Sequence, residues 1–409
     1  MHAQRASEQP VTGFARSLCS RPMDARTIPD AGPLHVVLNA TAEELKSVGG
    51  DYSLYRNWLK LTTDTLRFHL LPSHRVRRHH LIMRTIVEKL CYRWQPEKVR
   101  RTLFLASRLI SLPGPALERA DVLLSHILFP WVSGASSPPI IWSTQGLSPA
   151  VYYDRYNGRR WTVEDVIHLF RVLGRRADAL LISTETCARN LFSVCPELEE
   201  KTFLAPAPVF PRSESLPLKP SLEDGVIRLL FVGVNAQLKG LPEVIEAYRH
   251  IRRRYPQMRL DIVSRPPAPL RRQIETLSGV RLWPLLAHDE VMALMAQADI
   301  FVLPTHADTY ALSAVEAMAH GAAIIISDLD PLPEICPPGE VGFTVPAGDA
   351  VTLIEKIEAL VANPERLRQF QGNARRRYER VHHPTVVAER LQWIIERVSR
   401  ETKTSLRRR

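Results

Sequence analysis

Short apolar runs alternate with stretches of helical spacing through the second half of this chain. Residues 226–232 (VIRLLFV) end at Gly233, the pattern of a strand buried on both faces of a parallel sheet. Residues 241–254 then place Val244, Ile245, Ala247, Tyr248 and Ile251 on one helical face. The alternation continues with a strand over 258–263, a helix over 270–277 and a strand over 280–283. A helix over 288–297 carries Val291, Leu294 and Met295 on one side, and a strand over 300–303 closes at Pro304. A helix over 311–320 stops at Gly321, a residue suited to a C-cap, and a strand follows over 323–327. This spacing predicts an α/β domain with a parallel sheet and right-handed crossovers.

The first half repeats the scheme less sharply. Residues 34–38 predict a strand, followed by a loop with Gly49 and Gly50 and a helix from about Tyr52. Further strands are predicted over 122–125, 140–143 and 179–183. The stretch FPRSESLPLKPSL is rich in Pro and Ser and reads as a linker. A last helix after Pro384 runs through Val387, Leu391, Ile394 and Val398. The partition expected is a flexible tail 1–33, a first domain 34–210, a linker 211–224, a second domain 225–383, a helix 384–400 and a basic tail 401–409.

Composition narrows the class. A chain of 409 residues suits two domains rather than one core. With 45% apolar and 24% charged residues it has a soluble globular balance. It lacks an uninterrupted apolar stretch long enough for a transmembrane helix, and its N-terminus lacks the apolar segment of a secretory signal. Cys19, Cys91, Cys187, Cys195 and Cys336 are scattered, without zinc-ligand spacing, so no metal is expected and a reducing, cytoplasmic compartment is.

The formal charge of +11 favours polyanionic partners. It is clumped at 74–80 (HRVRRHH), 252–254, 375–377 and 407–409. Such runs are ordinarily solvated helix faces or frayed ends. The cluster at 74–80 is the one suited to an anionic membrane surface or a lipid-linked acceptor, which would make the protein peripheral on the inner face of the membrane. No nucleic-acid module is recognisable, so nucleic acid is not an expected partner. The absence of GxGxxG between strand and helix argues against a dehydrogenase.

The candidate chemistry lies in 304–321 (PTHADTYALSAVEAMAHG). In an open parallel sheet, ligands bind at the carboxyl ends of strands. The amides of Thr309, Tyr310, Ala311 and Leu312 would be the unpaired donors of a helix N-terminus, suited to a phosphate or a sugar hydroxyl. Asp308 lies just outside that helix and Glu316 one to two turns inside it, so both carboxylates can face one cleft at different depths. Asp308 also suits a helix cap, a common role for aspartate. Glu316 could be an exposed helix residue, but its neighbours Val315, Ala317 and Met318 are apolar, and a carboxylate among them needs a partner. A second element is Gly233-Val-Asn235-Ala-Gln-Leu-Lys239-Gly240, where a strand turns through glycine and Lys-Gly opens a helix. Lysine is a compact charge for a diphosphate, and Gly240 permits close backbone approach.

These two stretches resemble the donor domain of family 4 (group 1) glycosyltransferases. That family's pattern runs Gly-x5-Lys-Gly, then Ala-Asp-x4-Pro-Ser-x-x-Glu-x-Phe-Gly-x4-Glu-Ala-Met-Ala-x-Gly. This chain has Gly233, Lys239-Gly240, Ala298-Asp299, Pro304-Thr305, Asp308, Tyr310-Ala311, Glu316-Ala317-Met318-Ala319 and Gly321 in register. Pro333-Glu334, Val341-Gly342-Phe343 and Gly348-Asp349 also match. In the first half, Gly49-Gly50, 121–126 and 177–183 resemble the family's glycine pair and two of its strands.

The resemblance implies the GT-B fold: two facing Rossmann-like domains with a C-terminal helix crossing back to the first. It implies retaining, metal-independent transfer from a nucleoside diphosphate sugar, of UDP or GDP type, to a glycan or lipid-linked acceptor, with no cofactor. Cell-envelope or polysaccharide synthesis is the setting it suggests. Glu316 would bind the donor ribose, Asp308 the sugar hydroxyls and Lys239 the diphosphate. Gly233, Asn235, Gly240, Gly49, Gly50 and the amides of Thr309, Tyr310, Ala311 and Leu312 would line the donor site. His126 and Gln145 are candidates for contact with the acceptor or the transferring sugar. A structural role suits His126 equally.

Four positions depart from the pattern. Asp308 replaces the usual Glu, Val234 stands where an arginine often follows the glycine, Ala311 replaces glycine, and Gln145-Gly146 replaces a His-Gly or His-Asp pair. They leave open a second expectation, a catalytically weak or inactive GT-B protein that binds a sugar or another protein.

Overall fold

A computed structural model gives the architecture, describing residues 33–40, 50–71, 109–113, 117, 120–126, 129–133, 137–144, 146–147, 163–212, 225–284 and 286–408. The strands of the first half are β1 (Leu34–Leu38), β2 (Leu66–Leu70), β3 (Leu109–Pro113), β4 (Val122–His126), β5 (Phe129–Ser133), β6 (Ile140–Thr144), β7 (Ala179–Ile182) and β8 (Thr202–Leu204). Six form one sheet in the order β2-β1-β4-β6-β7-β8, and among the described residues β3 pairs with β5 alone. All pairs are parallel. Helices α1 (Gly50–Lys60), α2 (Val163–Leu169) and α3 (Glu185–Phe192) belong to this half. Strand β2 (LRFHL) was not anticipated. Its Leu66 and Phe68 face the core while Arg67 and His69 are exposed, the period-2 pattern of an edge strand.

The second half contains β9 (Arg228–Val232), α4 (Leu241–Arg254), β10 (Arg259–Val263), α5 (Ala268–Glu275), β11 (Val280–Trp283), α6 (His288–Gln297), β12 (Ile300–Leu303), α7 (Leu312–Ala319), β13 (Ala323–Ser327), α8 (Leu332–Ile335), β14 (Gly342–Val345), α9 (Ala350–Val361) and α10 (Pro364–Val381). Its sheet is parallel throughout, in the order β11-β10-β9-β12-β13-β14. The central strands β12 and β13 are buried at every position, which explains their apolar sequence; Ser327 at the end of β13 is buried with its hydroxyl donating to the Thr305 carbonyl. The strand order reverses between β9 and β12, so the loops leaving those two strands diverge to opposite faces and open a crevice at their carboxyl ends.

The two halves face one another. Just past the carboxyl end of β7, the amides of Glu185 and Thr186 donate to the Glu334 carboxylate, at 2.6 and 2.8 Å. Glu334 lies in α8, beyond the carboxyl end of β13. The last helix, α11 (Pro384–Arg408), crosses back to the first domain. There Gln392 Oε1 accepts from Thr65 Oγ1 at 3.0 Å, and Trp393 meets Phe203 edge-on with ring centroids 5.9 Å apart.

One boundary needs correction. Residues 401–408, expected as a basic tail, continue α11 as helix. No Gly or Pro interrupts the segment, Arg397 pairs with Glu401 at 2.9 Å one turn on, and Thr404 Oγ1 donates to the Arg400 carbonyl.

Candidate functional site

The crevice between β9 and β12 is closed by backbone contact. Gly240 has φ +79°, and a Cβ there would lie 2.0 Å from the Pro304 carbonyl oxygen. Only glycine permits this approach, which seats the Lys-Gly turn directly on the loop that leaves β12. His306 N–H donates to the Leu238 carbonyl at 2.8 Å, and Thr305 Oγ1 donates to the same oxygen at 3.0 Å. Gly233 contributes by its lack of a side chain, since a Cβ would lie 2.8 Å from Lys239 Cβ. Asn235 folds the turn from within: its Oδ1 accepts from Leu238 N–H at 3.1 Å and its carbonyl from Lys239 N–H at 2.9 Å.

These contacts aim Lys239 across the crevice. Its Nζ lies 2.6 Å from Asp308 Oδ2, with side-chain exposures of 23% and 16%. The other carboxylate oxygen, Oδ1, accepts from the amides of Thr309, Tyr310 and Ala311 at 2.8, 3.2 and 2.9 Å. Burial alone would raise the Asp308 carboxyl. The Lys239 charge and hydrogen bond, with the Ala311 and Tyr310 amides, outweigh it and hold the group below the usual carboxylate range. Asp308 therefore fills the capping role open to it as well as facing Lys239. Most of the amides expected to meet a donor already meet Asp308. Leu312 opens α7, and the amides of Leu312 and Ser313 are first-turn donors without a partner inside the helix.

Ala311 sits at φ 47° and ψ 57°, the left-handed conformation favoured by glycine. The family's glycine at this place thus has a backbone reason, and this chain reaches the same geometry with alanine. Tyr310 turns its side chain away from the crevice. Its hydroxyl accepts from Ala207 N–H at 2.9 Å and bonds His382 Nδ1 at 3.0 Å.

Glu316 lies deeper, one turn inside α7, 12% exposed and 4.0 Å from His288 Nε2. Burial pushes its carboxyl up to about 8, against an opposing pull from Arg56 on α1 of the first domain. His288 is lowered by burial and by Lys60 and Arg56. The deep end of the crevice is thus faced by cationic side chains of the opposite domain, which the sequence pattern did not indicate. Sequence reasoning also missed Glu243, whose Oε1 pairs with His306 Nε2 at 2.9 Å behind the Lys239 turn. An acid in the first turn of a helix was the available signal.

In the first domain, His126 is 3% exposed and packed edge-on against Tyr55 and Trp58. Its amide donates to Tyr55 Oη and its Nδ1 bonds Ser143 Oγ. Gly50 opens α1. Gly49 and Gln145 lie outside the described residues, as does the basic cluster 74–80. Among the described residues no group of three or more His, Cys, Asp or Glu could hold a metal, and no helix is long and apolar enough to cross a membrane.

The sequence model of the family described as glycosyl transferases group 1 matches residues 227–363, which span this crevice. Among curated proteins, sulfoquinovosyl transferase SQD2 of Arabidopsis thaliana is 26% identical over 303 residues, covering 68% of this chain and 57% of that protein. A phosphatidyl-myo-inositol mannosyltransferase of Mycobacterium leprae is 35% identical over 111 residues, covering 26% of this chain and 29% of that protein. The chain thus spans little more than half the length of the first relative and under a third of the second. Among solved structures, sucrose-phosphate synthase from Thermosynechococcus elongatus superposes with a TM-score of 0.64 at 15% identity, covering 89% of this chain and 99% of that one. The Anabaena HepE structure in complex with UDP and glucose superposes at 0.58 with 12% identity and the same coverage. At such identities the likeness is one of fold, and the fold is GT-B.

Proposed function

We propose that this chain is a retaining, metal-independent glycosyltransferase that moves a sugar from a UDP- or GDP-type donor to a glycan or lipid-linked acceptor. The observation that carries the reading is the 2.6 Å contact of Lys239 with Asp308 across the strand-order switch, directly before the N-terminus of α7. A diphosphate entering here exchanges one anionic partner of Lys239 for another, and the released Asp308 carboxylate turns to the sugar hydroxyls. Lys239 and the α7 amides then stabilise the charge that builds on the leaving diphosphate, the term on which such a transfer most depends. Glu316, protonated over most of the neutral range, both donates to and accepts from the ribose hydroxyls. The two domains hold the acceptor hydroxyl on the same face of the donor sugar as the leaving diphosphate, as a retaining front-face displacement requires, which supplies the remaining advantage through positioning. The activities named for the relatives support sugar transfer. A cytoplasmic site on the inner face of the membrane, in envelope or polysaccharide synthesis, accords with the cluster at 74–80.

The test is incubation with labelled UDP- and GDP-sugars and glycan or lipid-linked acceptors, with and without a chelator. Transfer with the donor's anomeric configuration kept, undiminished by the chelator, is expected. Absence of both transfer and donor hydrolysis across the panel would overturn the reading.

One observation favours a second reading, a sugar- or protein-binding GT-B partner without catalysis: Asp308 already engages both Lys239 and the loop amides. Cellular function that survives the combined Lys239→Ala and Glu316→Ala change would favour this reading over the first.

A further inference from the structure

Residues 205–212 lie on the first passage of the chain from one domain to the other, and 382–384 lie on the second. Both are bonded to a single hydroxyl. Tyr310 Oη accepts from Ala207 N–H on the first crossing and meets His382 Nδ1 on the second. The crossings are also bonded to each other, His382 carbonyl to Val209 N–H at 3.2 Å, and Tyr378 Oη donates to the Val209 carbonyl at 2.9 Å.

Tyr310 oxygen receives the Ala207 hydrogen and also bonds His382 Nδ1, the direction of that second bond following the imidazole tautomer. Burial, with the nearby Arg377 charge, drives His382 down to about 3 against a smaller opposing hydrogen bond to the Ala207 backbone, so the ring stays neutral. A buried phenol and imidazole cost stability that two apolar rings would not, while their directional bonds fix one geometry.

At its backbone end, Tyr310 donates its amide to Asp308 Oδ1, and Asp308 pairs with Lys239. A continuous path of bonds therefore runs from the crevice to both crossings. The junction has room to move: a cleft of about 370 Å³ lies against Tyr310 and His382, walled by Leu204 and Pro206 from one domain and Glu334 and Arg377 from the other.

We propose that Tyr310 and His382 are positioning residues that tie the 304–311 loop to both interdomain crossings, so that what binds the loop and how the domains stand to each other are coupled. The identity of the bound species rests on the function proposed above; the tie itself does not.

The test is amide hydrogen exchange on the full chain, compared with Tyr310→Phe, His382→Phe and the double variant, each first checked for a cooperative melt. In the unliganded protein, losing the hydroxyl is expected to speed exchange by about tenfold at 207–209 and also in the 305–311 loop. Faster exchange at 207–209 with an unchanged loop would overturn the coupling. The double variant, which removes both polar groups, is expected to regain melting temperature but not loop protection. Loop protection returning with stability would show the bond to be merely structural. With UDP added, protection at 305–311 is expected to spread to 205–212 in the wild type and to stop at the loop in Tyr310→Phe. If UDP, GDP and ADP all fail to bind the wild type, the enzymatic reading fails, and the unliganded comparison still decides the tie.

Discussion

Lys239 Nζ and Asp308 Oδ2 stand 2.6 Å apart, joined across two loops that leave neighbouring strands in opposite directions. On the function proposed above, Asp308 occupies the place a phosphate would take. Asp308→Asn keeps an oxygen for the loop amides but frees Lys239 from its anion. It is expected to bind nucleoside diphosphate about threefold to tenfold more tightly than the wild type while transferring sugar more slowly, since one charged competitor is gone. Calorimetric titration and turnover with the same donor check both halves. Weaker binding by the variant would show that Asp308 helps to hold the diphosphate.

Glu316 carries a pH signature. Its folded pKa of about 8 lies above the value of about 4.3 expected in the unfolded chain. The native state therefore binds the extra proton between these values. The contribution is fully present below about pH 4.3 and is lost as pH rises through about 8. Glu316→Gln cannot ionise, so its stability relative to the wild type should climb across that window by up to about 5 kcal/mol. Urea unfolding at several pH values reads this difference. A flat difference would mean that the carboxylate is already charged at neutral pH.

His382 has the opposite sign. Its folded pKa of about 3 lies below the unfolded value of about 6.5, so wild-type stability should fall as pH drops between them. His382→Phe removes that acid sensitivity, at the cost of the Tyr310 bond. Acid unfolding curves of the two proteins should converge as pH falls from about 6.5 toward 3.

Two neighbouring backbone positions should respond oppositely. Gly240→Ala forces a methyl group onto the Pro304 carbonyl at a positive φ and is expected to cost about 3 kcal/mol or more, with loss of nucleotide binding. Ala311→Gly relieves a left-handed alanine and should change stability by less than about 1 kcal/mol. Thermal melts of both variants make the comparison.

Much of the second domain was readable because each central strand is buried on both faces and each helix has one buried stripe, so periodicity alone marks them. The meeting of Lys239 with the Asp308 loop followed from two loops at adjacent strand ends. The first domain was less readable: edge strand β2 alternates buried apolar and exposed polar residues in place of an apolar run, and β3 and β5 pair outside the main sheet. Glu243 behind His306 and the Tyr310 hydroxyl at the crossings depend on contacts between residues more than 60 positions apart, to which local patterning is blind. The continuation of α11 past residue 400 is not marked by the basic run at the chain's end; the Arg397–Glu401 pair one turn apart supports the helix there.

The most direct measurement is titration of UDP and GDP into the wild type and into Lys239→Ala. The account predicts that at least one of them binds the wild type and that affinity falls by about tenfold or more when the ammonium is removed. Equal affinity in the two proteins, or no binding of either nucleotide to the wild type, would contradict a diphosphate site at the Lys239 turn.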